Sequence, residues 1–452
     1  MADQGAGLGA LPKSAPNLPD EMVECLAIQN IRDYLSLLKS IHVSIGGKGT
    51  DTDHLRRLHP IFAKATGRFE TWITKCLRGR DRHAPLKETE LPPLDVLVIF
   101  HAFILSPRVY AEDTQQRFHE LSNIGAFPLR EVANRINVTG EYKPLPEQID
   151  FWEKQTGQPF DISSAQSEVK VMCPACRRIH NTNWVVAEDG VVPGKGTGFG
   201  ERKFALECNC GVRVTHEVLC VAKLSRDLNE FRASNTMVLR GTLLAGRGGA
   251  EQFDIARTTT SEVLRVLGDP ATLGRRVLWS MGEVSNQLKV AFDSDSILKL
   301  LRPYSQPSSF SVNLPLKASR QGCFASDCFT RGFHTASTET LKNFKSEYLA
   351  FFFRDKTDPV FVTSQVDLVW HTHQLLGDGY RRHSIALTGR FIDHRSPDEM
   401  STSPMATLAK RNWKEALAAE RAALALDSQT RGVVHDAVTV PEDNNLVDGA
   451  AS

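Results

Sequence analysis

Two pairs of cysteines carry the most specific chemical signal in the chain. They are Cys173-Pro-Ala-Cys176 and Cys208-Asn-Cys210-Gly211, roughly thirty residues apart, a spacing that suits two metal-binding turns. Zinc takes four soft ligands in a tetrahedron, and a turn bearing two cysteines supplies half of one. Gly211 suits the tight turn such a knuckle needs after its last thiolate. The second pair is C-x-C rather than C-x-x-C, which leaves His180 and His216 as substitute ligands. The expectation is a zinc ribbon in which Cys173, Cys176, Cys208 and Cys210 hold one structural zinc. Four unrelated buried thiols would fit the paired spacing less well. Cys25, Cys76, Cys220, Cys323 and Cys328 read as structural, with Cys220 in an apolar strand and Cys76 on a helical stripe.

The second chemical stretch is VDLVWHTHQLL, residues 366–376. Ser364-Gln-Val-Asp367 has the form of a capping box and Gly377 is a natural stop, so the spacing predicts a helix of about three turns. On a helix, residues two apart diverge by about 200°, so His371 and His373 would not share one ion. On a strand they would project together, and the β-branched approach FVTSQV keeps that version open. Asp367 and His371 stand at i and i+4, where a carboxylate can hold an imidazole. The favoured expectation is a structural hydrogen-bonding seam without a second metal.

The alternative is a mononuclear metal site around His371. An iron facial triad needs two histidines and one carboxylate, which Asp367, His371 and a distant His394 or His101 could supply. On that reading the catalytic candidates are Asp367, His371, His373 and His394, with a metal-free binding pocket as a third possibility. Cys323 or Cys328 near His334 is the one cysteine-nucleophile candidate. There is no G-x-S-x-G, no H-E-x-x-H and no dinucleotide fingerprint. Residues 194–200, GKGTGFG, invite a phosphate-loop reading. No helix-starting pattern follows them, so a hairpin loop is expected, and GRGG at 246–249 fails for the same reason.

These residues need a scaffold. The 452 residues are 41% hydrophobic and 24% charged, a balance that suits a soluble globular protein of two or three domains. Lys plus Arg is 54 against 53 Asp plus Glu, so no global field favours nucleic acid or an anionic membrane. Arg177, Arg178, Lys195, Arg202 and Lys203 give local support to nucleic-acid binding, but aromatic interleaving is sparse. The start lacks the apolar core of a secretory signal. The longest apolar run, 94–105, is too short to span a bilayer. Nine cysteines without such a signal suggest a reducing compartment. The expectation is a cytoplasmic protein, with the nucleus as an alternative, that works with a protein partner.

The texture divides the chain into a disordered N-terminus (1–20), an N-terminal helical domain (21–164), the ribbon (165–222), a C-terminal helical domain with the WHTH element (223–400), and a helix with a disordered tail (401–452). The predicted class is mainly α with an inserted small β zinc ribbon, α+β overall. Leu55, Leu58, Phe62, Ala65, Phe69, Trp72 and Cys76 make one helical stripe. Pro92 and Pro93 suit the first turn of the next helix, and Ser337 suits an N-cap. One internal echo stands out: IFHAFILSPRVY (99–110) aligns with VWHTHQLLGDGY (369–380) without gaps, pairing His101 with His371 and Tyr110 with Tyr380.

Taken together, 91–113, 173–219, 311–324 and 366–394 resemble the glycine-rich-domain-containing-protein-like family, in its fungal-type form with an inserted zinc ribbon. The Trp-His-x-His-x-Leu element is the distinctive part. The first element departs from the family pattern, reading Phe100-His101-Ala102-Phe103 in place of Trp-His-x-His. Gly377 and Arg395 stand where proline and an acidic residue are usual, and the namesake glycine-rich domain is absent. The resemblance implies a mostly helical protein of no well-established reaction. An interaction or regulatory role is expected, with an oxygenase-type metal-dependent enzyme of a specialised pathway as the alternative.

Overall fold

Helical periodicity dominates the chain and dominates the fold. The computed structural model describes residues 17–47, 52–81, 84–186, 196–246, 248–354 and 362–394. Among them are seventeen α-helices and two small two-stranded antiparallel sheets, a mainly α protein with a small β insertion. The expectations for residues 1–16 and 401–452, and for Gly194 and Lys195, lie outside the described residues.

Of the stripe read at 55–76, Phe62, Ala65, Phe69 and Trp72 are buried on helix Thr52–Cys76, Leu58 and Cys76 are half-buried, and the Leu55 side chain lies outside those described. Phe69 stacks on Phe100 at 5.8 Å and on Phe310 at 5.3 Å. Helix Leu94–Ile104 is buried from Val96 to its end. Pro92 and Pro93 lie just before it rather than in its first turn, Pro93 being the N-cap with an extended ψ of 157°. For Pro92 the cause is steric, since Pro93 drives the residue before it out of the helical region. Helix Leu314–Thr330 packs against Ile28–Ser44, Thr52–Cys76 and Leu94–Ile104. Helix Ile28–Ser44 in turn meets Ser364–Gln374 and Thr338–Phe353, whose N-cap is Ser337 as expected. A second apolar core, with Val221, Leu224, Leu228, Val263, Leu267 and Tyr304, joins the helices between 216 and 301.

The boundary drawn at 222 falls inside a helix, and so does Cys220. Only Ala205–Glu207 and Arg213–Thr215 of the second alternating run are strands, and His216–Ser234 is helical from the Thr215 cap, whose hydroxyl accepts from the Val218 N–H at 3.3 Å. Read alone, LCVA has strand texture. Followed through Val221, Leu224 and Leu228, the buried spacing is helical.

Candidate metal centres

The ribbon is two hairpins, each with a cysteine knuckle at its turn. Strand β1 (Glu168–Met172) pairs with β2 (Ile179–Asn183), with Met172 opposite Ile179. Strand β3 (Ala205–Glu207) pairs with β4 (Arg213–Thr215), with Glu207 opposite Arg213. In the first knuckle the Cys173 N–H donates to the Arg178 carbonyl and the Arg177 N–H to the Cys173 carbonyl, both at 2.8 Å. In the second, the Gly211 N–H donates to the Cys208 carbonyl at 2.9 Å, and Gly211 takes the left-handed φ of 86° that the turn requires.

The turns bring four sulfurs together. Cys173 Sγ lies 3.7 Å from Cys210 Sγ, and Cys176 Sγ lies 3.5 Å from Cys208 Sγ. Thiolates bonded to one tetrahedral zinc at 2.3 Å stand about 3.8 Å apart, whereas disulfide sulfurs stand about 2 Å apart. The donor set therefore fits a four-coordinate soft metal. The backbone N–H of Arg178 draws the Cys176 thiol down from its ordinary value. His180 Nε2 stands 3.3 Å from Cys208 Sγ, beside the cluster, while His216 Nε2 meets the Phe199 carbonyl at 2.8 Å instead. The glycine-rich run lies along the ribbon, with the Phe199 and Gly200 N–H groups donating to the Asn183 and Trp184 carbonyls. The next element is β3, not the helix a phosphate loop needs.

The WHTH stretch is helical, Ser364–Gln374, which disposes of the strand version. Its cap is Thr363, one residue before the expected Ser364. Ser364 donates to Asp327 at 2.7 Å, and Asp367 is turned toward histidines rather than back to the helix start. His371 and His373 diverge as helical geometry requires and enter separate clusters.

In the first cluster His394 Nε2 is 3.1 Å from Asp367 Oδ1, the two histidine Nε2 atoms are 3.2 Å apart, and His371 Nε2 is 3.6 Å from Asp367 Oδ1. Behind it, the Tyr34 hydroxyl lies 3.1 Å from His371 Nδ1 and 2.9 Å from His101 Nε2. Burial pushes both His371 and His101 down to about 3, so both rings are neutral at ordinary pH. Burial works against the Asp367 carboxylate, but the two imidazoles beside it hold its pKa below the usual value.

In the second cluster His373 Nδ1 meets the Tyr348 hydroxyl at 2.7 Å and His373 Nε2 meets His383 Nδ1 at 3.0 Å. His383 Nε2 then reaches Glu21 at 3.2 Å. Tyr380 closes a third contact, accepting from Trp370 Nε1 at 2.8 Å.

Sequence reasoning named Asp367, His371 and His394, and these three are brought together. It missed Tyr34, Tyr348 and Glu21, which belong to distant helices. The available signal for Tyr34 was a hydroxyl on the apolar stripe of Ile31, Leu35, Leu38 and Ile41. The cysteine-nucleophile idea gains nothing, since His334 stacks on Phe329 and burial pushes the Cys328 thiol well up. A nucleophile needs the reverse shift.

The internal echo is spatial as well. Each copy is a helix ending in the same backbone bond, Leu105 N–H to the His101 carbonyl and Leu375 N–H to the His371 carbonyl, followed by a second helix. The paired histidines of the two copies meet at one tyrosine. Comparison of the chain with family models, with curated proteins and with solved structures gives no match.

Proposed function

We propose that the chain is a zinc-ribbon protein of the interaction or regulatory kind, whose ribbon, braced by one structural zinc, presents a surface to a protein partner. The observation that carries this reading is the four-sulfur cluster, with Cys176 and Cys210 exposed at the two knuckles. A zinc with four thiolates keeps no open coordination position, so its work is to hold shape. Ile179 and Met172, opposite each other beside the first knuckle, are 62% and 48% exposed. Elsewhere the ribbon is fastened to helix Thr52–Cys76, where His59 Nδ1 meets the Gly200 carbonyl at 3.1 Å. The ribbon is thus anchored at Gly200 and exposed at Met172 and Ile179. The resemblance to the glycine-rich-domain-containing-protein-like family agrees with this reading.

Metal counting and hydrogen exchange on wild type and on Cys173→Ser/Cys208→Ser test the zinc. One equivalent should disappear and exchange protection should fall across 168–215, because the ribbon has too little apolar core to fold alone. The helices beyond should keep theirs, and full zinc retention would overturn the assignment. A photocrosslinker at Ile179 tests the partner. It should capture the same protein repeatedly in the wild type and lose it in the cysteine variant, whereas no reproducible capture sinks the interaction role.

A further inference from the structure

We propose that Asp367, His371 and His394 form a second metal site, independent of the ribbon, that binds one divalent first-row transition ion. Bonds of 2.0–2.1 Å place cis ligand atoms about 3.0 Å apart in an octahedron and about 3.4 Å apart in a tetrahedron. The three ligand atoms here are 3.1, 3.2 and 3.6 Å apart. They already occupy one face of a coordination shell.

Donor convergence supports the ion. Two ring nitrogens and one carboxylate oxygen point into a single small space. A cation accepts all three lone pairs at once. The rear contacts are compatible with the tautomer this requires: with His371 Nδ1–H donating to the Tyr34 oxygen and the Tyr34 hydroxyl donating to His101 Nε2, His371 Nε2 is left bare toward the cluster. A hydrogen bond to the far nitrogen is the usual support of a ligating histidine. Tyr34 is on this account a positioning residue.

The surroundings leave room for chemistry. His371 is buried, but the side chains of Asp367 and His394 are 23% and 20% exposed, so the cluster opens to one side. Phe324 packs edge-on against His371 and Trp370 against His394, each with ring centroids 4.7 Å apart, which fixes both imidazoles. Three protein ligands leave at least one position for water or a small oxygen-donor ligand. An imidazole and carboxylate set without thiolate suits zinc, iron(II), cobalt(II), nickel(II) or manganese(II). The ribbon, by contrast, is a closed soft site.

Cobalt(II) loading of the full chain separates the two centres. The ribbon gives intense thiolate charge-transfer bands, and a site of two nitrogens and an oxygen gives only weak visible bands. Wild type should take up two equivalents. His394→Ala, at a partly exposed position outside any helix, should take up one and keep the charge-transfer bands. Tyr34→Phe should weaken the second equivalent by ten- to a hundredfold and leave the ribbon unchanged. One equivalent at saturating cobalt(II), zinc and iron(II) overturns the proposal, and so does a second equivalent that survives both His394→Ala and Asp367→Asn.

Discussion

Replacing Tyr34 by Phe removes one oxygen atom from the centre of the protein and nothing else. The ring stays, with its tilted contact to His101 at 5.5 Å and its edge contact to His371 at 6.2 Å. What goes is the group between two buried imidazoles, in a region where Tyr34 and His101 are 0% and His371 1% exposed. A hydroxyl has one proton, so it donates to one ring and accepts from the other. Its loss strands one N–H and one lone pair away from water. Each stranded buried group costs about 1–3 kcal/mol, and relief from burying the hydroxyl itself returns part of that. The expected loss of stability is about 2–4 kcal/mol, read from urea unfolding with an unchanged slope against denaturant. A cycle sharpens the test. His101→Leu should cost less in the Tyr34→Phe background than in wild type, with a coupling of about 0.5–3 kcal/mol as expected for residues in one network. A Tyr34→Phe protein within about 0.5 kcal/mol of wild type, or an additive cycle, refutes the bridge.

Tyr34→Phe and Tyr348→Phe should be additive within about 0.5 kcal/mol, because the two hydroxyls share no partner, one meeting His101 and His371 and the other His373; a large coupling in thermal unfolding would merge the clusters. Gly377→Ala should cost about 1–3 kcal/mol, since φ is +58° and an added Cβ would sit 3.2 Å from both the Gly125 carbonyl and the Tyr110 ring. Gly389→Ala, at φ +70° with open space, should cost less, and the opposite order in thermal melts refutes the steric account. Lys223 is buried with its ammonium donating to the Pro303 and Phe310 carbonyls at 2.8 and 2.6 Å. Burial and Arg240 pull its pKa down to about 7 against the opposing pull of Asp113, Asp227 and Cys220. The unfolded chain, titrating near 10.4, therefore holds more protons between those values, and native stability rises with pH across that window by up to about 1.4 kcal/mol per unit. Subtracting Lys223→Met from wild type in urea melts should recover that slope; a flat difference from pH 7 to 10 rules it out.

What was legible in the chain was local. The knuckles could be read because four cysteines and a turn glycine fall within two short stretches, and the divergence of His371 from His373 because helical geometry dictates it. The cap moved from Ser364 to Thr363 because Ser364 found Asp327 across the fold. A cap competes with tertiary partners that one stretch cannot reveal. The strand reading of LCVA failed through too short a window. His394 could be named but not placed, since nothing within the chain says that a coil at 391–394 returns to the helix bearing His371. Tyr34 was invisible for the same reason at greater range.

That range has a consequence for how the chain acquires its shape as it is made. Tyr34 and His371 are 337 positions apart, Cys25 and Thr372 are 347, and Glu21 and Arg382 are 361, whereas the ribbon sulfurs pair across 32 and 37. At roughly 5–20 residues per second of synthesis, helix Ile28–Ser44 waits on the order of 15–70 seconds for its last partners, while the ribbon can close as soon as its second knuckle emerges. A helix made early is therefore among the last to be satisfied. A ribosome-bound chain ending before residue 314 should show a protected ribbon and a helix Ile28–Ser44 still open to protease.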